Sequence, residues 1–202
     1  MRHVIALLHL LQRNLLIQHL KRLMKYQSLA IPDVKLLLPT RRTDERDFFM
    51  ETLRQNEFER QCGPYTLVQD NHTRSWQGTL RGLHHQVDKP QGKLVRVVRG
   101  CIFDVAVDVR PDSPSYGQWV SQILSEENDH QMWIPPGFAH GFYVLSDVAD
   151  LLYRCSDYYY PAGERALRWN SPHLAIDWPL LNEVPLRLSE KDANAPCFYL
   201  RD

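Results

Sequence analysis

Lys93-Leu94-Val95-Arg96-Val97-Val98-Arg99-Gly100-Cys101-Ile102-Phe103-Asp104-Val105-Ala106-Val107-Asp108-Val109-Arg110 is the stretch that decides the fold class. It reads as two strands joined tightly at Gly100. In the second, Phe103, Val105, Val107 and Val109 alternate with Asp104, Ala106 and Asp108, the period-two signature of a half-buried strand. Working outward, short runs of the same texture recur at 34–38, 65–69, 118–124, 131–134, 141–145 and 150–157. They are punctuated by Pro39, Pro111-Asp112-Ser113-Pro114, Pro135-Pro136-Gly137 and Ser146-Asp147. Many short strands with no helical period between them predict a mainly β chain, an antiparallel sandwich or barrel. Residues 171–202 read as irregular or weakly helical, with Ser189 as an N-cap. No internal repeat or low-complexity linker interrupts the chain, so 24–202 is expected to be one domain.

The chain has 202 residues, 44% apolar and 24% charged, with a formal net charge of zero. That length suits one well-buried core. A balanced charge leaves no footprint for sequence-independent nucleic-acid binding, although a local basic pocket for a small anion remains open. The four cysteines (Cys62, Cys101, Cys155 and Cys197) are scattered, which fits reduced, mostly buried thiols of a cytoplasmic protein better than a disulfide framework or zinc spacing.

Residues 1–23 stand apart. Val4, Leu7, Leu8, Leu11, Leu15, Ile17 and Leu20 recur at helical spacing among Arg2, Arg13, Lys21 and Arg22. The apolar run is too short to cross a bilayer, which takes about 20 residues, and no small-residue cleavage site follows it. The segment reads as a basic amphipathic helix on a membrane or partner, as a helix docked on the domain, or as residues upstream of the true start. Met24-Lys25-Tyr26-Gln27-Ser28 looks like a natural beginning and favours the last, with membrane contact disfavoured.

Arg81-Gly82-Leu83-His84-His85-Gln86 concentrates a guanidinium and two imidazoles in a segment that otherwise reads as sheet. Adjacent residues of a strand point to opposite faces, so His84 and His85 cannot share one ion. Pro135-Pro136-Gly137-Phe138-Ala139-His140-Gly141 resembles the second motif of the cupin superfamily, the double-stranded β-helix jelly rolls. Metal-binding cupins also carry a His-x-His followed by a glutamate. Here Gln86 takes the second ligand position and no glutamate follows, so no metal is expected. His84 is instead a candidate acid–base group, with Arg81 or Lys93 to stabilise the charge it creates. A hydrogen-bonded core histidine is the plain alternative, and spacing does not choose between the two.

A family resemblance does. Asp44-Glu45-Arg46-Asp47-Phe48-Phe49-Met50-Glu51, Gln69-Asp70-Asn71, Gly78-Thr79-Leu80-Arg81-Gly82-Leu83-His84, Gln91-Gly92-Lys93, Gly137-Phe138-Ala139-His140-Gly141-Phe142, Tyr153-Arg154-Cys155-Ser156-Asp157-Tyr158-Tyr159, Ile176-Asp177-Trp178-Pro179 and Leu188-Ser189-Glu190-Lys191-Asp192 occur in order. Together, over roughly residues 28–200, they resemble the dTDP-4-dehydrorhamnose 3,5-epimerases, metal-independent cupins. The resemblance implies a cupin-type jelly roll with a few short helices, acting on dTDP-4-dehydro-6-deoxy-D-glucose without cofactor. It matches His84 to the base, Asp192 to its orienting carboxylate, Tyr153 to the opposing acid, and Lys93 to the residue near the enolate oxygen. It places Arg46 and Arg81 at the diphosphate and His140 in the sugar–phosphate pocket. Phe49 and Tyr159 fall around the thymine, and Glu51, Gln69 and Asn71 become polar contacts to nucleotide or sugar. It also implies a homodimer, with the nucleotide site built partly by the neighbouring subunit. A 3- or 5-monoepimerase, or a 3,4-ketoisomerase of another deoxysugar, is the alternative on the same scaffold. Two positions depart from the family pattern: Asp47 stands where glycine is usual, and His85 replaces an aromatic.

Overall fold

The computed structural model describes residues 24–200, and the amphipathic segment read over 1–23 lies outside the described residues. Two antiparallel sheets face each other. One has six strands in the order β1-β2-β10-β7-β12-β5, and the other five in the order β13-β6-β11-β8-β9. The strands are β1 (Met24–Ser28), β2 (Lys35–Pro39), β3 (Arg42–Asp44), β4 (Asp47–Phe49), β5 (Gln69–Trp76), β6 (Leu80–Gln86), β7 (Lys93–Arg99), β8 (Cys101–Asp108), β9 (Trp119–Ser125), β10 (Gln131–Ile134), β11 (Phe138–Val144), β12 (Val148–Cys155) and β13 (Glu164–Ala166). β3 and β4 form a separate two-stranded ribbon. Helices are short: α1 (Gln55–Cys62), α2 (Glu190–Ala193) and a 3-10 turn at Pro161–Gly163.

Each expected strand is present except at 65–69. There Tyr65 and Leu67 leave the sheet to pack over Leu37, Phe58, Leu94 and Trp133, and the strand starts at Gln69. α1 was not legible in the sequence: its N-cap, Arg54, makes no side-chain cap bond. Tertiary packing holds it, with the Phe58 ring edge-on to Trp133 at 4.9 Å.

The half-buried reading of β8 also needs correction, because both of its faces are covered. Ile102 and Ala106 face the space between the sheets, with Val95, Val97, Met132, Phe142 and Leu151. Val105 and Val107 face outward, where the irregular C-terminal segment lays Leu174, Trp178 and Phe198 over them. Alternation shows only that a strand's two faces differ in chemistry; here Asp104 is on the interior one.

Candidate active site

The site begins with an irregularity in β6. On β11, His140 and Phe142 are two residues apart, yet they pair with His84 and Arg81, which are three apart. This bulge turns Arg81 and His84 to the same face, which a regular strand would not do. Gly82 allows it: its φ is +118°, and a Cβ there would stand 2.6 Å from Gly141 Cα and 2.7 Å from the His140 carbonyl oxygen. His85 pairs with Arg165 of β13, and it lines a cavity together with His84, where strict alternation predicts opposite faces. Burial pushes the His85 imidazole down to about 4, so it is neutral at physiological pH.

His84 Nε2 lies 2.5 Å from Asp192 Oδ1. Ser189 caps α2, its Oγ accepting the Asp192 N–H at 3.1 Å, as the N-cap reading anticipated. Burial alone would raise the Asp192 carboxyl, but hydrogen bonds from His84, Ser189 and the Gly82 backbone hold it below its ordinary range. An ionised carboxylate only accepts, so His84 Nε2 carries the hydrogen and Nδ1 keeps the basic lone pair.

A second pair sits opposite. His140 Nε2 is 2.7 Å from Asp104 Oδ1, and Asp104 is wholly buried with its other oxygen unpartnered among the described residues. Lys93 Nζ donates to the His84 carbonyl at 3.4 Å, and burial holds its ammonium below the usual range. Burial raises the Tyr153 phenol, which therefore stays protonated at neutral pH.

These side chains line a cavity of about 410 Å³ that includes Arg81, His84, Lys93, His140, Tyr153 and Asp192. His84, Lys93 and Tyr153 also line an adjoining one of about 300 Å³ with Gln69, Asn71, Tyr159 and Glu164. In that second space the Tyr159 N–H donates to Gln69 Oε1 at 2.9 Å, and its hydroxyl donates to Glu164 Oε2 at 2.9 Å. Lys191, beside Asp192, pairs with the same Glu164 at 2.5 Å. Among the described residues, no three His, Cys, Asp or Glu side chains converge as a metal-ligand set.

Nine of the twelve expected site residues therefore meet in one chain. Arg46, Phe49 and Glu51 do not line either space. Arg46 pairs with Asp44 at 2.6 Å on the β3–β4 ribbon, Phe49 is 69% exposed, and Glu51 pairs with Arg54. Asp104, Glu164, Lys191 and Arg187 were missed. Asp104 had the polar-alternation signature of a solvent face, and the others are single charges in irregular or short segments.

Two facing antiparallel sheets, with a buried-carboxylate–histidine pair, a tyrosine and a lysine around their interior, define a cupin-type jelly roll with an acid–base site. The sequence matches the dTDP-4-dehydrorhamnose 3,5-epimerase family over residues 28–199, and the chain belongs to that family. It is 55% identical over 182 residues to the dTDP-4-dehydrorhamnose 3,5-epimerase of Pseudomonas aeruginosa, covering 87% of this chain and 99% of that one. The structure of a dTDP-6-deoxy-D-glucose-3,5-epimerase from Legionella pneumophila, in complex with dTDP-4-keto-L-rhamnose, is similar with a TM-score of 0.83. Identity is 50%, over 86% of this chain and 92% of that one. A 3'-monoepimerase from Streptomyces bikiniensis, in complex with dTDP-quinovose, is similar with a TM-score of 0.78 and 33% identity, over 85% and 86% of the two chains.

Proposed function

We propose that this protein is an isomerase, a dTDP-4-dehydrorhamnose 3,5-epimerase that converts dTDP-4-dehydro-6-deoxy-D-glucose to dTDP-4-dehydro-L-rhamnose. The observation that carries the reading is the 2.5 Å His84–Asp192 pair in a cavity shared with Tyr153 and Lys93. The C4 carbonyl of the substrate acidifies the hydrogens at C3 and C5, so neither redox cofactor nor metal is required. His84 Nδ1 takes a proton from one face of the sugar, and the Asp192 carboxylate stabilises the resulting imidazolium. The electron pair moves onto the C4 oxygen, where Lys93 offsets the developing charge. Tyr153, kept protonated by burial, returns a proton to the opposite face. His84 and Tyr153 then exchange protons with solvent, and the cycle repeats at the second carbon.

Arg81 and His140 serve the diphosphate and sugar–phosphate end, and Gln69, Asn71 and Tyr159 the nucleoside. Arg46, Phe49 and Glu51, which sit on or beside an exposed ribbon in their own chain, complete the nucleotide site of a second copy, so the enzyme works as a homodimer. The epimerase unit spans 24–202. The product feeds dTDP-L-rhamnose for surface polysaccharide such as O-antigen, which places the enzyme in the cytoplasm.

Turnover in heavy water tests this, with deuterium followed by NMR. Incorporation at both C3 and C5 is expected. Incorporation at one carbon selects a monoepimerase, a second reading favoured by the likeness to the Streptomyces bikiniensis enzyme. No incorporation in a folded, dTDP-binding sample ends the enzyme reading. The His84→Ala variant should lose exchange yet bind dTDP nearly as well as the wild type, and a large loss of binding would mean that His84 holds the nucleotide instead.

A further inference from the structure

The catalytic cavity carries more positive charge than proton transfer uses. Arg81, Lys93 and Arg187 line it, and its one lining carboxylate among the described residues, Asp192, is taken by His84. Among the described residues Arg81 donates only to neutral acceptors, Ser75 Oγ at 3.0 Å and the Arg74 carbonyl at 3.5 Å.

Arg187 is held at the rim by its backbone. Its carbonyl accepts from the Leu80 N–H at 3.0 Å, and its own N–H donates to the Gly78 carbonyl at 2.8 Å. These contacts fix it beside the start of β6, next to Arg81. The residue lines both the catalytic cavity and an adjoining groove of about 540 Å³ lined by Trp76, Gln77, Asp147 and Glu183. Two carboxylates therefore line that groove, yet the Arg187 guanidinium forms no hydrogen bond or ion pair among the described residues. A guanidinium exposed at the cavity rim, anchored through its backbone and left without an acceptor among the described residues beside a second one, suits a ligand that brings several anionic oxygens.

We propose that Arg187 is a binding residue for the substrate's diphosphate, sharing the two phosphoryl groups with Arg81. This rests on the nucleotide-sugar reading above. A phosphoryl group presents oxygens to which a guanidinium fork donates in parallel, and two forks match two phosphoryl groups.

Calorimetric titration of dTDP and of inorganic pyrophosphate into the full chain tests the role. The variants are Arg187→Gln, Arg187→Lys, and Arg99→Gln as an exposed control on the far end of β7. Arg187→Gln should weaken both ligands roughly ten- to hundredfold, the range for losing a charged hydrogen-bonding partner. It should raise KM with kcat changed by less than about threefold. Arg187→Lys should recover part of the loss, and Arg99→Gln should match the wild type. Binding of both ligands by Arg187→Gln within about twofold of wild type overturns the proposal. So does a loss shared in full by Arg187→Lys together with a lowered Tm, the pattern of a structural role. A wild type that binds pyrophosphate but not dTDP would sink the nucleotide-sugar reading, while the pyrophosphate arm would still decide the role of Arg187.

Discussion

Asp192 is the residue whose worth is most out of proportion to its signal in the sequence. In Leu188-Ser189-Glu190-Lys191-Asp192 it reads as a helix-start acid, and only the family resemblance lifts it above its neighbours. The fold brings it 2.5 Å from an imidazole 108 positions away. Its carboxyl is held below its ordinary range, so the pair is intact at neutral pH. For a depressed acid the contribution is present above the unfolded value and is lost as pH falls through the folded one. Asp192→Asn should keep the fold but present an amide where Nε2–H needs an acceptor. We expect kcat to fall by about three to four orders of magnitude, as when a histidine loses its orienting carboxylate. Activity within tenfold of wild type would show that His84 is oriented by something else. Asp104 teaches the converse: it was legible as a residue but not as a site, since nothing local says that the polar face of β8 turns inward toward His140.

At the scale of elements, the β3–β4 ribbon carries the departure noted in the sequence. Asp47, where glycine is usual, adopts φ +110°, a region that side chains with a Cβ rarely occupy. Glycine would hold that conformation without a Cβ penalty, so the departure at Asp47 falls on a position that needs a permissive backbone. Asp47→Gly should stabilise the protein by about 1 kcal/mol, relief of backbone strain exceeding the added freedom of the unfolded chain. In a domain of this size that is a rise in Tm of about 2–4 °C, and an unchanged or lower Tm in differential scanning calorimetry would refute the strain. β6 shows the other limit of element reading. Period-two alternation predicts opposite faces for His84 and His85, yet both line one cavity, and the bulge at Gly82 and Leu83 was invisible, because register is set by β11 rather than by β6.

For the molecule as a whole, the two sheets are tied together at the end of β8. Asp108, fully buried, accepts from Arg110 Nε at 2.9 Å, Ser113 Oγ at 2.5 Å and Ser115 Oγ at 2.6 Å, while Arg110 reaches Asp33 in the β1–β2 connection at 2.8 Å. Burial opposes ionisation, but these donors win and bring the Asp108 carboxyl to about 2. The stability it contributes, roughly 2 kcal/mol, is present above pH ~4 and lost as pH falls toward 2. In urea titrations Asp108→Asn should be less stable than wild type by that amount at pH 7, with the two curves converging near pH 2; a difference constant across pH would remove the charge from the account.

The sequence by itself determined the mainly β class, most strand positions and, through eight ordered motifs, the family and nine of the side chains that line the two cavities. These rest on alternation, turn residues and local spacing, which short segments carry on their own. Tertiary structure alone decided that β8 is buried on both sides, that Asp104 faces His140, and that Arg187 stands beside Arg81 without a partner among the described residues. It also decided that Arg46, Phe49 and Glu51 lie apart from the cavity of their own chain. Each of those depends on which segment, distant in the chain, covers or pairs with a strand, and no local pattern encodes the partner.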